Sequence, residues 1–474
     1  MAKYEELMES IITQINDGVW EIGEKLPSLR KQTQISGLSL MTVLNAYQAL
    51  ESQGVIVSHS RSGYVVAPKI IQPAYKRTNP DFEAIEKVDI NDIIFDVLQN
   101  SRRPNLINFG SVYPDASLYP RAQINRSLAN AARTMPASAM IDNFPPGNED
   151  LRHIISQRYA AQGMSVSPDE IVITSGALEG LNLCLQAVTT PGDWVIVESP
   201  SFYGSLQSLQ KLGLRALSIH THPQTGIDLK ALEVALKSHN VKACWLMTNH
   251  QNPMGFTLPD ENKQQLSRLL SKHKVYLIED DVYHELYAGS KKPLPTKAFD
   301  HRDMTLHCSS FSKSLVAGFR IGWVAAGAKA EQIQKLQLMS TMAASAPMQL
   351  ALTNYLTTRS YETHLRLLRK TLAQRKFALW KVLNEHMPKY VKINYSEGGY
   401  FIWVELPEHI DARYLYSASL EKNISIAPGA MFSLTKQFQN CFRLNSSFEC
   451  NEKHIKAIKT LADLIVELNK NAPK

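Results

Sequence analysis

The sequence predicts an α/β protein that carries a separate, mainly helical head. Two observations support this. From about residue 104 onward, short apolar strands alternate with longer helical stretches, the pattern of a mostly parallel sheet covered by helices. Before that, residues 1–68 show helix-period apolar spacing and then two short strands. The length, 474 residues, leaves room for about three folding units.

Composition narrows the class. Apolar residues make up 44% and charged residues 20%, which excludes a mostly disordered chain, a collagen or a disulfide scaffold. No apolar run reaches the ~18 residues of a membrane span. The N-terminus (Met-Ala-Lys-Tyr-Glu-Glu) is acidic and amphipathic, unlike a secretory signal. Five cysteines with no Cys-x-x-Cys pair read as buried reduced thiols, so a cytoplasmic location is expected. The net charge of +7 is compatible with nucleic acid or anionic ligands. No metal site is expected.

In the head, Leu7, Ile11 and Ile15 form one apolar helix face. Ser28 precedes Leu29-Arg30-Lys31-Gln32 and can cap a second helix, which Gly37 breaks. Ser39 begins a third, with Val43, Ala46, Tyr47 and Leu50 on one face and Met41, Thr42, Asn45 and Gln48 on the other. Val55-Ile-Val and Gly63-Tyr-Val-Val then read as a hairpin. Two helices across a tight turn followed by a hairpin describe a winged helix-turn-helix. Residues 1–24 carry one lysine against six acidic residues, whereas residues 25–68 carry four cations against Glu51. The positive charge thus gathers on the second helix and the wing, where DNA phosphates would sit.

Residues 69–103 read as a linker, broken by Pro73 and Pro80 and solvated by Lys69, Lys76 and Arg77, with a helical stretch around 81–99. Residues 104–474 form the body. Its expected strands are 171–174, 194–197, 243–247, 275–278, 305–308 and 320–324, followed by a smaller α+β unit with strands at 400–404 and 441–444.

Ligands of open α/β sheets bind beyond the carboxyl ends of the strands. Ser175-Gly176-Ala177 follows the first strand and opens a helix, a turn whose free N–H groups can cradle phosphate. Phe202-Tyr203 follows the second, Asn252-Pro-Met-Gly the third and Asp280-Asp-Val-Tyr283 the fourth. Ser310-Phe-Ser312-Lys313 follows the fifth, with Arg320 seven residues beyond the lysine. Ser310-x-x-Lys313 also matches a penicillin-binding nucleophile motif, but there is no Lys-Thr-Gly companion. One ligand uses the whole set: pyridoxal phosphate. Its aldehyde needs a lysine amine, its pyridine nitrogen a carboxylate, its ring an aromatic plate, and its phosphate N–H groups, hydroxyls and an arginine.

The ordered motifs Ser-Gly-Ala, Asn-Pro-Met-Gly, Asp-x-x-Tyr and Ser-Phe-Ser-Lys-Ser-Leu-Val-Ala-Gly-Phe-Arg resemble those of fold-type-I aminotransferases. Leu-Pro-Ser-x-Arg, Thr-Val-x-x-Ala-Tyr and Ser-Gly-Tyr-Val resemble a GntR-type winged helix. Joined on one chain, they resemble the MocR group of bacterial transcription regulators. The resemblance implies that Lys313 holds the cofactor covalently and Asp280 pairs with the ring nitrogen. Tyr283 and Asn252 would bond the ring oxygen. Ser175, Gly176, Ala177, Ser310, Ser312 and Arg320 would surround the phosphate, and Phe202 would stack on the ring, with Tyr203 as the rival. Arg443, with Asn252, would hold a substrate carboxylate; the plainer reading of Arg443 is a surface salt bridge. Ser28, Arg30, Ser39, Thr42 and the wing residues His59 and Arg61 would meet DNA. Two positions depart from the family. Leu40 stands where an arginine usually opens the recognition helix, and residues 142–147 read Asp-Asn-Phe-Pro-Pro-Gly in place of Tyr-x-Asp-Pro-x-Gly.

The expected function is a regulator of transcription that binds double-stranded DNA as a homodimer and senses an amino acid or amine through its cofactor. A working aminotransferase with a vestigial head is the alternative, and a cofactor-binding dimer with neither activity is the third reading.

Overall fold

The computed structural model describes residues 3–52, 55–59, 63–67, 82–88, 92–141, 144–289 and 291–471. The head begins with α1 (Lys3–Asn16), α2 (Leu29–Ser36) and α3 (Leu40–Ser52), then the hairpin β1 (Ile56–His59) and β2 (Gly63–Val66). Leu7, Ile11 and Ile15 of α1 pack on Val43, Ala46, Tyr47 and Leu50 of α3, over Leu26, Ile56 and Val66. Each such buried aliphatic contributes roughly 1.5–3 kcal/mol. Ser28 caps α2 by accepting the Lys31 N–H at 3.3 Å, and Gly37 closes it in the left-handed conformation, φ 67°. Ser39 caps α3 by accepting the Thr42 N–H at 3.2 Å. The antiparallel wing pairs Ile56 with Val66 and His59 with Gly63. The winged helix-turn-helix expected from the sequence is therefore present.

The connection differs from expectation. A helix was expected over 81–99, but Phe82–Ile85 is a strand, β3, and only Ile93–Asn100 is helical, α4. β3 pairs antiparallel with Arg215–His222 and forms one edge of the large sheet. Phe82, Ile85 and Val88 lie three apart, a helical spacing, but the strand is made by pairing with a distant edge, which local periodicity does not report.

The remaining strands of the large sheet are β4 (Ile171–Thr174), β5 (Trp194–Ser199), β6 (Arg215–His222), β7 (Val241–Leu246), β8 (Tyr276–Asp280), β9 (Thr305–Ser310) and β10 (Gly322–Ala325). Their order is β3-β6-β5-β7-β8-β9-β10-β4, with the short Gly226–Ile227 strand off this path on β6. Strands β5 to β9 run parallel, and β10 runs antiparallel to both neighbours. Since β10 points the other way, its start rather than its end faces the site, which brings Arg320 to the same edge as the parallel strands' carboxyl ends. Sequence reasoning overlooked β6.

A second domain packs a four-stranded sheet of β11 (Lys392–Asn394), β12 (Phe401–Glu405), β13 (Ala427–Pro428) and β14 (Cys441–Asn445) against α5 (Tyr361–His386) and α6 (Glu452–Asn471). Among the described residues, no helix is long and apolar enough to cross a membrane.

Candidate cofactor site and DNA-binding head

The carboxyl edge of β4 to β9 gathers the motifs in one buried place. Lys313 lies three residues past the end of β9 and is buried. Its Nζ donates to the Val112 carbonyl at 3.0 Å and sits 4.1 Å from the Tyr113 ring centroid. Burial, and next the nearby Arg443 guanidinium, lower the Lys313 amine to about 7. Asp280 closes β8 with its carboxylate buried. Burial, and next the charge of Asp281, push its carboxyl up to about 7.

Asp281 is itself held ionised. Burial alone would raise its carboxyl, but His284 and His307 outweigh that and hold it well below the usual range. Trp323 Nε1 donates to the Tyr159 hydroxyl at 3.0 Å, that hydroxyl lies 2.6 Å from His307 Nδ1, and His307 Nε2 lies 3.0 Å from Asp281 Oδ2.

Arg443 is not the surface salt bridge that was its plainer reading. It is only 1% exposed, on β14, with its guanidinium carbon 4.2 Å from the Phe401 ring centroid. It donates to Asn252 Oδ1 and to the Gly110 carbonyl, each at 2.7 Å. Tyr283 is buried beside Tyr400 and Phe401. Phe202 is half-buried, its ring 4.7 Å from that of Tyr203.

The cradle after β4 is present with one change. Gly176, φ 93°, opens the helix Ala177–Val188. A Cβ there would lie 2.4 Å from Arg320 Nη2, so a side chain would displace the guanidinium, and the positive φ itself favours glycine. The Ser175 N–H, expected to be free for phosphate, donates to the Glu179 carboxylate, which also accepts from Thr341. Ser310 Oγ accepts the Ser312 N–H at 3.3 Å.

Among the described residues, several buried polar atoms have no hydrogen-bond partner, and four of them meet here: Asp280 Oδ1, Asn252 Nδ2, Ser312 Oγ and Arg443 Nε. Leaving a buried polar group unpaired costs roughly 1–3 kcal/mol. An acceptor for a protonated ring nitrogen, a donor for a ring oxygen, a hydroxyl for a phosphate and a donor for a carboxylate match the groups of pyridoxal phosphate and an amino acid. The residues present fit that cofactor.

Sequence reasoning missed Val112, Tyr113, Gly110 and Glu179. The first three lie on an irregular segment without periodicity. Glu179 reads only as a helix residue until its carboxylate is seen on the Ser175 N–H. In the head, Arg30 and Lys31 are exposed, Thr42 is half-buried, and Ser28 and Ser39 serve as caps. The His59 side chain and Arg61 lie outside the described residues.

Fold and site together define a fold-type-I aminotransferase body behind a winged helix-turn-helix head. The family description "Aminotransferase class I and II" matches residues 117–458, and "Bacterial regulatory proteins, gntR family" matches residues 3–66. The chain is 56% identical over 467 residues to the HTH-type transcriptional regulator YdcR of Escherichia coli (strain K12), covering 98% of this chain and 100% of that one. YjiR, another HTH-type transcriptional regulator of the same organism, is 32% identical over 98% of this chain and 99% of its own. A kynurenine aminotransferase of Pyrococcus horikoshii is similar in structure, with TM-score 0.74 and 27% identity over 80% of this chain and 95% of that one. The chain belongs to the class I and II aminotransferase family and, within it, to the helix-turn-helix transcriptional regulators. Pyridoxal phosphate is the cofactor of this family.

Proposed function

We propose that the protein regulates transcription as a homodimer in the cytoplasm, its head on DNA and its body reading an amino compound through pyridoxal phosphate. Residues 1–68 are the DNA-binding unit in this reading, and the body includes the edge strand that begins at Phe82. The observation that carries it is the convergence of unpaired buried polar atoms around Lys313.

Lys313 would attach the cofactor, and its lowered amine leaves a large neutral fraction near pH 7. Asp280 would accept a hydrogen bond from the ring nitrogen and hold its proton. Asn252 and Tyr283 would hold the ring oxygen, and Phe202 would cover the ring. Ser310, Ser312, Arg320 and the Gly176–Ala177 turn would hold the phosphate, with the Ser175 N–H joining them once Glu179 yields it. Arg443 would take the carboxylate of the amino compound, exchanging its bond to the Gly110 carbonyl for a bidentate pair. When bound, pyridoxal phosphate supplies an aldehyde that condenses with amines and a ring that withdraws electrons. An effector changes DNA binding only if it binds two states of the protein with different affinity.

Purified protein mixed with pyridoxal phosphate should show a visible band and a borohydride-reducible adduct, both lost in Lys313→Ala. An adduct that persists in the variant overturns the assignment. The buried Arg443 also favours a second reading, turnover of amino acids. Sustained amino transfer without operator binding would favour it.

A further inference from the structure

The recognition helix α3 has a reading face unusual in its chemistry. Its thirteen residues contain no arginine or lysine. Val43, Ala46, Tyr47 and Leu50 are fully buried against α1 and the rest of the head core. Glu51 is turned toward the wing, where it accepts the Ser58 N–H at 3.1 Å. Away from that buried face, Leu40 is 49% and Met41 63% exposed, and Asn45 follows Met41 by four residues on the same stripe and is also exposed. Gln48, next on that stripe, borders the cleft between head and body.

In the major groove, guanine is read chiefly by Arg or Lys reaching O6 and N7 together, and α3 offers neither. Adenine is read by Asn or Gln across N6 and N7, and the 5-methyl of thymine is the apolar group on the groove edge. Met41 and Asn45 on one stripe, with Leu40 exposed at the helix start, match A·T pairs. Charge supports the same occupant. Arg30 and Lys31 are exposed on α2, while the acidic Glu6 and Glu9 sit on α1, which packs on the buried face of α3. A phosphate backbone can therefore approach α3 from the α2 side without meeting the acids.

We propose that α3 selects A·T-rich half-sites: Asn45 bonds an adenine edge while Leu40 and Met41 cover the 5-methyl groups of neighbouring thymines. This deepens the DNA-binding reading of the head and rests on it.

The test uses the full chain and a randomised duplex library. Selected half-sites should be A·T-rich with no required G·C pair at their centre. Replacing thymine by deoxyuridine in the selected duplex removes only methyl groups and leaves the protein untouched. It should weaken binding at least fivefold. Leu40→Ala together with Met41→Ala should bind both duplexes alike, and Leu40→Arg should gain affinity for sites carrying a G·C pair. A selected half-site anchored on G·C pairs, or equal binding of the deoxyuridine duplex, overturns the proposal while leaving the DNA-binding reading standing. If the alanine variants change self-association and keep the deoxyuridine effect, the patch is a contact between copies and the proposal fails. Failure to bind any duplex overturns both readings.

Discussion

Lys313 and Asp280 are opposite cases of one effect: burial disfavours charge, so it lowers the amine and raises the carboxyl. With Lys313 at about 7, the neutral amine that attacks an aldehyde forms through neutrality and not near the usual lysine range. Cofactor capture should therefore be slow at pH 6, rise through pH 7 and level off above pH 8. Stopped-flow absorbance across that range checks this. For Asp280, the folded cofactor-free protein binds a proton that the unfolded chain releases. That stabilisation is full below the ordinary carboxyl range and is lost as pH rises to about 7 and beyond. Asp280→Asn should accordingly raise the Tm of cofactor-free protein at pH 8, while impairing the loaded site; calorimetry at pH 5 and pH 8 separates the two. Both residues were legible in the sequence because each follows an apolar strand in a motif of ordered chemistry. Tyr113 was not, because its contact with Lys313 joins residues two hundred positions apart in a segment with no period.

At the level of elements, the cradle depends on backbone geometry that side chains rarely adopt. Gly176→Ala meets both a positive φ and the Arg320 guanidinium. Its cost of about 1–3 kcal/mol should fall largely on the phosphate, a roughly tenfold to hundredfold weaker hold on the cofactor with the large-domain fold retained. A fluorescence titration of cofactor into the variant measures it. In the head, Ser39→Ala removes the cap of α3 and should cost about 1 kcal/mol of head stability, read as a lower denaturant midpoint for its unfolding. Caps and hairpin were legible from residue type and spacing alone. β3 was not, since its identity comes from pairing with β6, a partner more than a hundred residues downstream. The same holds for the direction of β10, which no local pattern encodes.

For the whole molecule, the two family matches divide the chain into parts with different tasks, and the first described strand of the body begins at Phe82. Removing residues 1–68 should abolish specific gel shifts and leave the visible cofactor band unchanged. A truncated protein that still shifts its operator would refute this division of labour. Fold class was legible at this scale because strand–helix alternation persists over hundreds of residues.

The early pairing of β3 also sets a limit on reach. Fifteen peptide steps separate Ala67 of the wing from Phe82 in the sheet, and that many residues cannot span more than about 50 Å. In the proposed homodimer, the wing end of each copy therefore lies within that distance of its own sheet edge. In that proposed homodimer, operators whose halves are moved apart by successive whole helical turns should engage both heads only while each half stays within that distance of its own body.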